Sequence, residues 1–290
     1  MPRPARRLLW PLAVVLLCLL RPALGDQLFY LGQKIPDIQR TWTSEDYQQL
    51  IEALKVIEQT QKNALPRRSG EFTGPIYQRM VSEENFRPQL NIYAPLELRQ
   101  SEAREVLFKL KELMRLYFDF RAAKQPYGAE ALGLMSYSLR EQAILFELTV
   151  EFWMTLAQNE QRNPVRLKGM QDAKAAASML TSAALDYLGL TAQFERQDLV
   201  LYSAELAKQL PELFVHLPSE VRAQLLARLG QLVEQHPYPE VRENLRGVLP
   251  VLQAIQADVE KQLAAPQKGT PPPKGLDLSP PPEPAAAPKH

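Results

Sequence analysis

Residues 129–158 read AEALGLMSYSLREQAILFELTVEFWMTLAQ. In its second half, Ile144, Leu145, Phe146, Leu148, Val150, Phe152, Trp153, Met154 and Leu156 wrap most of a helical circumference. A helix that is apolar nearly all round is a central one, covered by neighbours on several sides. The chain must then supply those neighbours, and this decides the fold class: an all-α, multi-helix bundle. Glu147 and Glu151 interrupt the run one turn apart. A carboxylate pair in a bundle core suggests a di-iron site, but such a site needs further carboxylates and Glu-x-x-His partners, and the sequence contains no Glu-x-x-His. The pair reads as an exposed stripe on a buried helix.

Covering helices are present on both sides. Before the central run, Thr43 to Asn63 opens with Thr43 or Ser44 as N-cap and carries Tyr47, Leu50, Ile51, Leu54 and Ile57 on one stripe. Leu96 to Ala123 repeats the pattern with Ala103, Val106, Leu107, Leu110, Leu113, Met114 and Tyr117. After it, Asn163-Pro164 marks a turn, and residues 165–190 place Met170, Ala173, Ala177, Leu180, Ala184 and Tyr187 along a seam. Small residues at that seam predict close helix approach rather than a cofactor groove.

Residues 199–263 hold the nearest thing to a repeat. Pro218-Ser219-Glu220-Val221-Arg222 and Pro239-Glu240-Val241-Arg242 each open a helix, with proline and acid in the first turn. The joint His236-Pro237-Tyr238 is short, which predicts antiparallel packing, and Pro250 is expected to kink the second helix. The P-x-V-R start, the proline-containing turn and the interior proline resemble a HEAT-type helical repeat over about residues 199–263. That resemblance implies a scaffold or binding surface built from a short HEAT-like helical array. The domain plan is therefore one helical domain over 26–264, or a 26–195 bundle followed by 196–264 HEAT-like helices.

Both ends differ in composition. Arg3, Arg6 and Arg7 precede an apolar stretch, Leu8 to Leu20, and Ala23-Leu24-Gly25 is a small-x-small site. Residues 1–25 are expected to be a cleaved secretory signal peptide, because thirteen apolar residues are too few to span a bilayer comfortably. The expected destination is the periplasm or the extracellular space. From residue 265 the sequence is proline-rich and nearly devoid of large apolar side chains, so 265–290 is expected to be a disordered tail.

Composition excludes several functions. The 290-residue chain has 34 Lys+Arg against 33 Asp+Glu, a net charge of +1, which argues against a general nucleic-acid binder. Removing the leader's four arginines leaves 30 bases against 33 acids. The one cysteine, Cys18, lies in the leader, so disulfide scaffolds and cysteine-ligated metal sites are excluded. His216, His236 and His290 are the only histidines. Glu212 and His216 can share a helix face, but no further ligand stands at recognisable spacing, and His216 and His236 read as helix-terminal surface residues. No metal site, cofactor or catalytic set is predicted.

One string is enzyme-like. Tyr127-Gly128-Ala129-Glu130-Ala131-Leu132-Gly133-Leu134-Met135 resembles the G-A-x-G-L-M-Q segment of lytic transglycosylases, helical enzymes of the cell envelope. It departs by an extra spacing residue, by Ser136 in place of glutamine, and by Asp119-Phe120 where the family has a catalytic Glu-Ser pair. Without that general acid the family's route to the glycosidic bond is closed.

The segment that core packing does not explain is 66–95, PRRSGEFTGPIYQRMVSEENFRPQLNIYAP. Long connections in compact domains are often functional. Short helices are expected after Gly74-Pro75 and at Ser82-Glu83-Glu84. Arginine and aromatic residues favour interface hot spots, so Arg67, Arg68, Phe72, Tyr77, Arg79, Arg87 and Tyr93 are the candidate partner-binding residues. The leading expectation is an exported helical protein that binds another protein through this segment. The alternatives are an envelope polymer hydrolase, and a small-molecule carrier with Phe146, Phe152 and Trp153 as pocket wall.

Overall fold

A computed structural model describes residues 28–264. The expected leader at 1–25 and tail at 265–290 lie outside the described residues. What is described is mostly helical, as the central run requires. A hairpin of β1 (Leu28–Tyr30) and β2 (Gln33–Ile35) comes first. It is followed by α1 (Ser44–Thr60), α2 (Gly74–Met80), a 3₁₀ turn (Glu83–Phe86), α3 (Arg87–Leu90), α4 (Leu96–Tyr117) and α5 (Gly128–Thr155). Then come α6 (Gln158–Gln161), α7 (Pro164–Gly189), α8 (Arg196–Phe214), α9 (Ser219–Gln235) and α10 (Pro239–Ala264).

Each long helix starts and stops for a local reason. At α1 the Asp46 carboxylate accepts from the backbone N–H of Thr43 (2.9 Å) and from its hydroxyl (3.2 Å), and pairs with Arg40. The five predicted stripe residues from Tyr47 to Ile57 are all buried. At α7 the Asn163 side chain accepts from Val165 N–H (2.9 Å), with Pro164 in the first turn. The fourth helix ends at Tyr117, six residues before the predicted Ala123. Phe118 turns extended there so that its ring stacks on Tyr187 of α7, centroids 4.9 Å apart. Gln125 holds the following loop, accepting from Asp119 N–H (2.9 Å) and donating to its carbonyl (2.7 Å).

The central helix α5 packs against α4, α7 and α8, and residues 66–95 run along it. Helices α8, α9 and α10 close the far side. The starts of α8 and α10 meet through Arg196 and Glu240 (2.6 Å), and Asn244 donates to Ser203 Oγ (2.9 Å), so these two helices run parallel. Near the start of α9, Arg222 donates to Gln256 late in α10 (2.6 Å), so this pair is antiparallel, as its short joint predicts. Both α8 and α10 continue through their interior prolines, Pro211 and Pro250. One connected apolar core extends from Ile35 to Leu252. No helix of the described residues is long and apolar enough to cross a membrane.

Two further features differ from the sequence expectation. His236 is buried, not superficial: its Nδ1 accepts from Tyr238 N–H (3.2 Å), which leaves Nε2 to donate to the Leu188 carbonyl (2.9 Å). The β1–β2 hairpin was not signalled by alternation, since each strand has three residues. It is anchored by buried Ile35 and by the Tyr30 hydroxyl, which donates to the Ala64 carbonyl (2.6 Å).

The hairpin's two connecting residues, Leu31 (φ 48°) and Gly32 (φ 78°), both lie in the left-handed region that a type I′ turn demands. Glycine adopts it freely, whereas leucine is strained there by about 1–2 kcal/mol. Leu31 is exposed, so its apolar side chain recovers little of that. Leu31→Asn is expected to stabilise the protein by about 1 kcal/mol, a rise in Tm of about 2–4 °C. A fall in the thermal midpoint would show that packing of Leu31 outweighs the turn.

Candidate functional site

The 66–95 segment is a strap laid along α5. It contains the short helices expected after Gly74-Pro75 and at Ser82–Glu84. Its entry is fixed by tyrosines from distant elements. The Tyr127 hydroxyl accepts from Leu65 N–H (3.0 Å), and the Tyr117 hydroxyl donates to the Pro66 carbonyl (3.0 Å). Buried backbone groups need such partners, and a loop crossing a core has no helix or sheet ladder to supply them. From there the strap follows α5 in the same direction: Arg68 lies at Glu130, Ser82 at Tyr137 and Gln89 at Glu141. Glu130 to Glu141 is about 16 Å of helix.

The seven predicted binding residues therefore do not form one patch. Arg67, Arg68 and Phe72 sit at the start of α5. The Arg67 guanidinium lies over the Tyr127 ring (4.6 Å) and donates to the Pro126 carbonyl (2.8 Å). Arg68 is exposed, and its backbone N–H donates to Glu130 (2.6 Å). Phe72 is 84% exposed. Arg87 and Tyr93 sit at the other end, both exposed, with Tyr93 at 92%.

Tyr77 and Arg79 are corrections. Tyr77 is buried, and its hydroxyl donates to the Glu130 carbonyl (2.9 Å) in a space left by Gly133. Arg79 turns inward, donating from Nε to the Ile38 carbonyl (2.8 Å) and pairing with Glu84 (2.9 Å). Both hold the strap down and neither is presented to a partner. Gly133 thus serves packing, as does Gly128, which abuts Phe194. These are the glycines of the transglycosylase-like string, and Asp119, at the position of the missing acid, lies in an exposed loop.

At its exposed end the strap shows a feature that its arginine and aromatic content did not single out. Leu90, Ile92, Tyr93 and Leu98 are all exposed, four large apolar side chains within nine residues. The turn that carries them is not loose. Arg99 Nε donates to the Gln89 carbonyl (2.7 Å), and the same guanidinium lies 3.6 Å from Glu151.

Beneath the strap is a polar seam. Asn85 Oδ1 accepts from Trp42 N–H (2.9 Å), while Nδ2 donates to the Arg79 carbonyl (2.7 Å) and to the Tyr47 hydroxyl (3.0 Å). Tyr47 in turn donates to the Met80 carbonyl (2.7 Å), and its oxygen lies 3.2 Å from that of Tyr137. Burial pushes both phenols well above their usual titration range.

One turn beyond Tyr137, the seam reaches Glu141. This side chain is fully buried, and neither carboxylate oxygen has a hydrogen-bond partner of good geometry among the described residues. The amide atoms of buried Gln89 are equally unpartnered. Burial raises the Glu141 carboxyl well above the ordinary range, the Gln89 amide offsets this in part, and the charge of Glu102 raises it further. Sequence reading singled out Glu147 and Glu151 instead, and these are exposed as expected. His216 is half-buried against the Phe146 ring, centroids 4.9 Å apart, and its pKa is lowered by burial. Among the described residues no group of His, Cys, Asp and Glu could hold a metal ion. Compared with protein-family models, curated proteins and solved structures, the chain matches none.

Proposed function

We propose that this is an exported helical binding protein that docks a protein partner on the turn from Leu90 to Leu98. The observation that carries the reading is the exposure of Leu90, Ile92, Tyr93 and Leu98 on a turn tied down from both sides. Large apolar side chains held rigidly lose little conformational entropy on binding and desolvate well, as hot-spot anchors do. The charges near them are mixed: Arg87 pairs with Glu84 (3.5 Å), and Leu98 shares a hollow with Arg99, Glu102 and Glu105. A mixed rim suits a protein surface, whereas an anionic membrane would be met by cations alone. Export rests on the leader pattern of residues 1–25, and the scaffold character on the HEAT-like pair α9–α10.

The test is site-specific photo-cross-linking from position 90 in the native host, in the otherwise wild-type chain and in the triple change Ile92→Ser, Tyr93→Ser, Leu98→Ser. Surface changes of this kind shift stability by about ±0.5 kcal/mol each, so the fold is retained. A discrete adduct with the wild-type surface that vanishes in the triple variant is the expected result. An adduct that survives the triple change would place the interface elsewhere and overturn this reading.

A further inference from the structure

Helices α4 and α7 both flank α5 without packing closely on each other, and the gap between them is a groove of about 490 Å³. That is within the range of ~300–1,000 Å³ usual for small-molecule sites. It opens on a different face of α5 from the strap. Of the small seam residues of α7, Ala177 and Ala184 are fully buried in close helix approach, as expected, while Ala173 lines the groove together with Gly169 and Ala176. The walls are apolar: Leu107 and Phe108 from α4, Phe152 and Trp153 from α5, Met170 from α7. Phe146, the third aromatic expected in a pocket wall, is not among the lining residues.

Polar groups converge on this apolar cleft. Gln142 lines it while being almost fully buried, and its amide oxygen has no partner. That oxygen is an acceptor and calls for a donor, which a carboxylate does not supply, so the cations of the lining place the headgroup. Arg104, Lys111 and Arg166 also line it, and none forms an ion pair with a described residue. The one acid there is Asp172, so the lining carries an excess of positive charge. Gln100 bonds Thr149 (3.1 Å) and Ser138 Oγ meets Met114 Sδ (3.5 Å), so α4 runs antiparallel to α5 and Lys111 falls toward the Gln142 end. Trp153, Leu156 and Val165 mark the other end.

We infer that this groove binds an anionic amphiphile with a single alkyl chain. Its carboxylate accepts from Lys111 and Arg104, and its chain runs toward Trp153 and Leu156. The inference is independent of the docking turn, since no residue is shared between the two.

The experiment is isothermal titration of the full chain with decanoate, decan-1-ol and decyltrimethylammonium, each below its aggregation threshold. The expected result is saturable one-to-one binding of decanoate, at least about fivefold tighter than the alcohol and tighter still than the ammonium. Arg104→Ala with Lys111→Ala weakens decanoate by about fivefold or more and leaves decan-1-ol unchanged. Gly169→Leu abolishes binding of both. A side chain at Gly169 meets nothing within 4 Å, and leucine favours the helix, so this variant folds. Circular dichroism is the check on this. No saturable binding, equal affinity for the ammonium, or undiminished binding by Gly169→Leu would each overturn the inference. A wild-type dimer in sedimentation that Gly169→Leu dissociates would also overturn it, assigning the groove to a second copy of the chain.

Discussion

Asn85→Ala is expected to lower the Tm by about 10 °C. The side chain is buried and every polar atom on it is used, by Trp42 N–H, the Arg79 carbonyl and the Tyr47 hydroxyl. Truncation leaves Trp42 N–H buried without a partner, at about 1–3 kcal/mol, and takes one bond each from the Arg79 carbonyl and the Tyr47 hydroxyl, at about 0.5–1.5 kcal/mol each, or about 3–4 kcal/mol together. For a domain of this size each kcal/mol moves the midpoint by about 2–4 °C. Tyr47→Phe removes only the hydroxyl and is expected to cost less, about 1–2 kcal/mol. Because Asn85 and Tyr47 share a bond, the double variant is expected to lose less than the sum of the singles. Thermal and urea unfolding of the four proteins measures this. A loss under about 1 kcal/mol for Asn85→Ala would mean that the seam is open to water and that the strap is not pinned there.

The second large effect appears as a dependence on pH. Burial favours the uncharged Glu141 carboxyl, so the folded chain holds that proton more tightly than the unfolded chain does. As pH rises past the ordinary glutamate value of about 4.3, the unfolded state gives up its proton first. The folded state then binds more protons than the unfolded one, and stability falls with rising pH by up to about 1.4 kcal/mol per unit. The fall ends once the folded carboxyl has also ionised. Glu141→Gln keeps the shape and removes the titration. Its stability relative to wild type is expected to grow steadily from about pH 4 upward, and to be small below that. Urea midpoints for the two proteins over about pH 4 to pH 8 provide the comparison. Parallel curves would show that Glu141 has a partner or water that holds it charged. Because Glu141 faces the strap at Gln89, amide exchange in residues 82–90 is expected to quicken with pH in wild type beyond its intrinsic rate, and less so in Glu141→Gln.

The strap shows why site residues were harder to read than helices. Tyr77 and Tyr93 belong to the same segment and the same residue type, yet one is buried and the other almost wholly exposed. Nothing local separates them; Tyr77 is inside because Gly133, on another helix, leaves room for its hydroxyl. Glutamates along α5 follow the same logic. Glu147 and Glu151 interrupt the apolar run and Glu141 lies just before it, and of the three only Glu141 is buried, under the strap. His236 looks like a turn residue by sequence and is interior because Leu188 offers it a carbonyl.

What the sequence determined by itself is the set of helices. Stripe spacing, the Thr43–Asp46 cap, the Asn163-Pro164 start and the all-round apolar character of α5 are properties of neighbours within a turn or two. The backbone's 3.6-residue period converts them directly into an amphipathic or a central helix. Tertiary structure alone decided which polar groups lost water. Trp42 meets Asn85 across 43 residues of chain, and Tyr137 meets Tyr47 across 90. It also decided that Ala173 of α7 borders a gap while Ala177 and Ala184 on the same helix meet a neighbour. Desolvation depends on what lies on the far side of a residue, and periodicity says which face a residue occupies without saying what covers it.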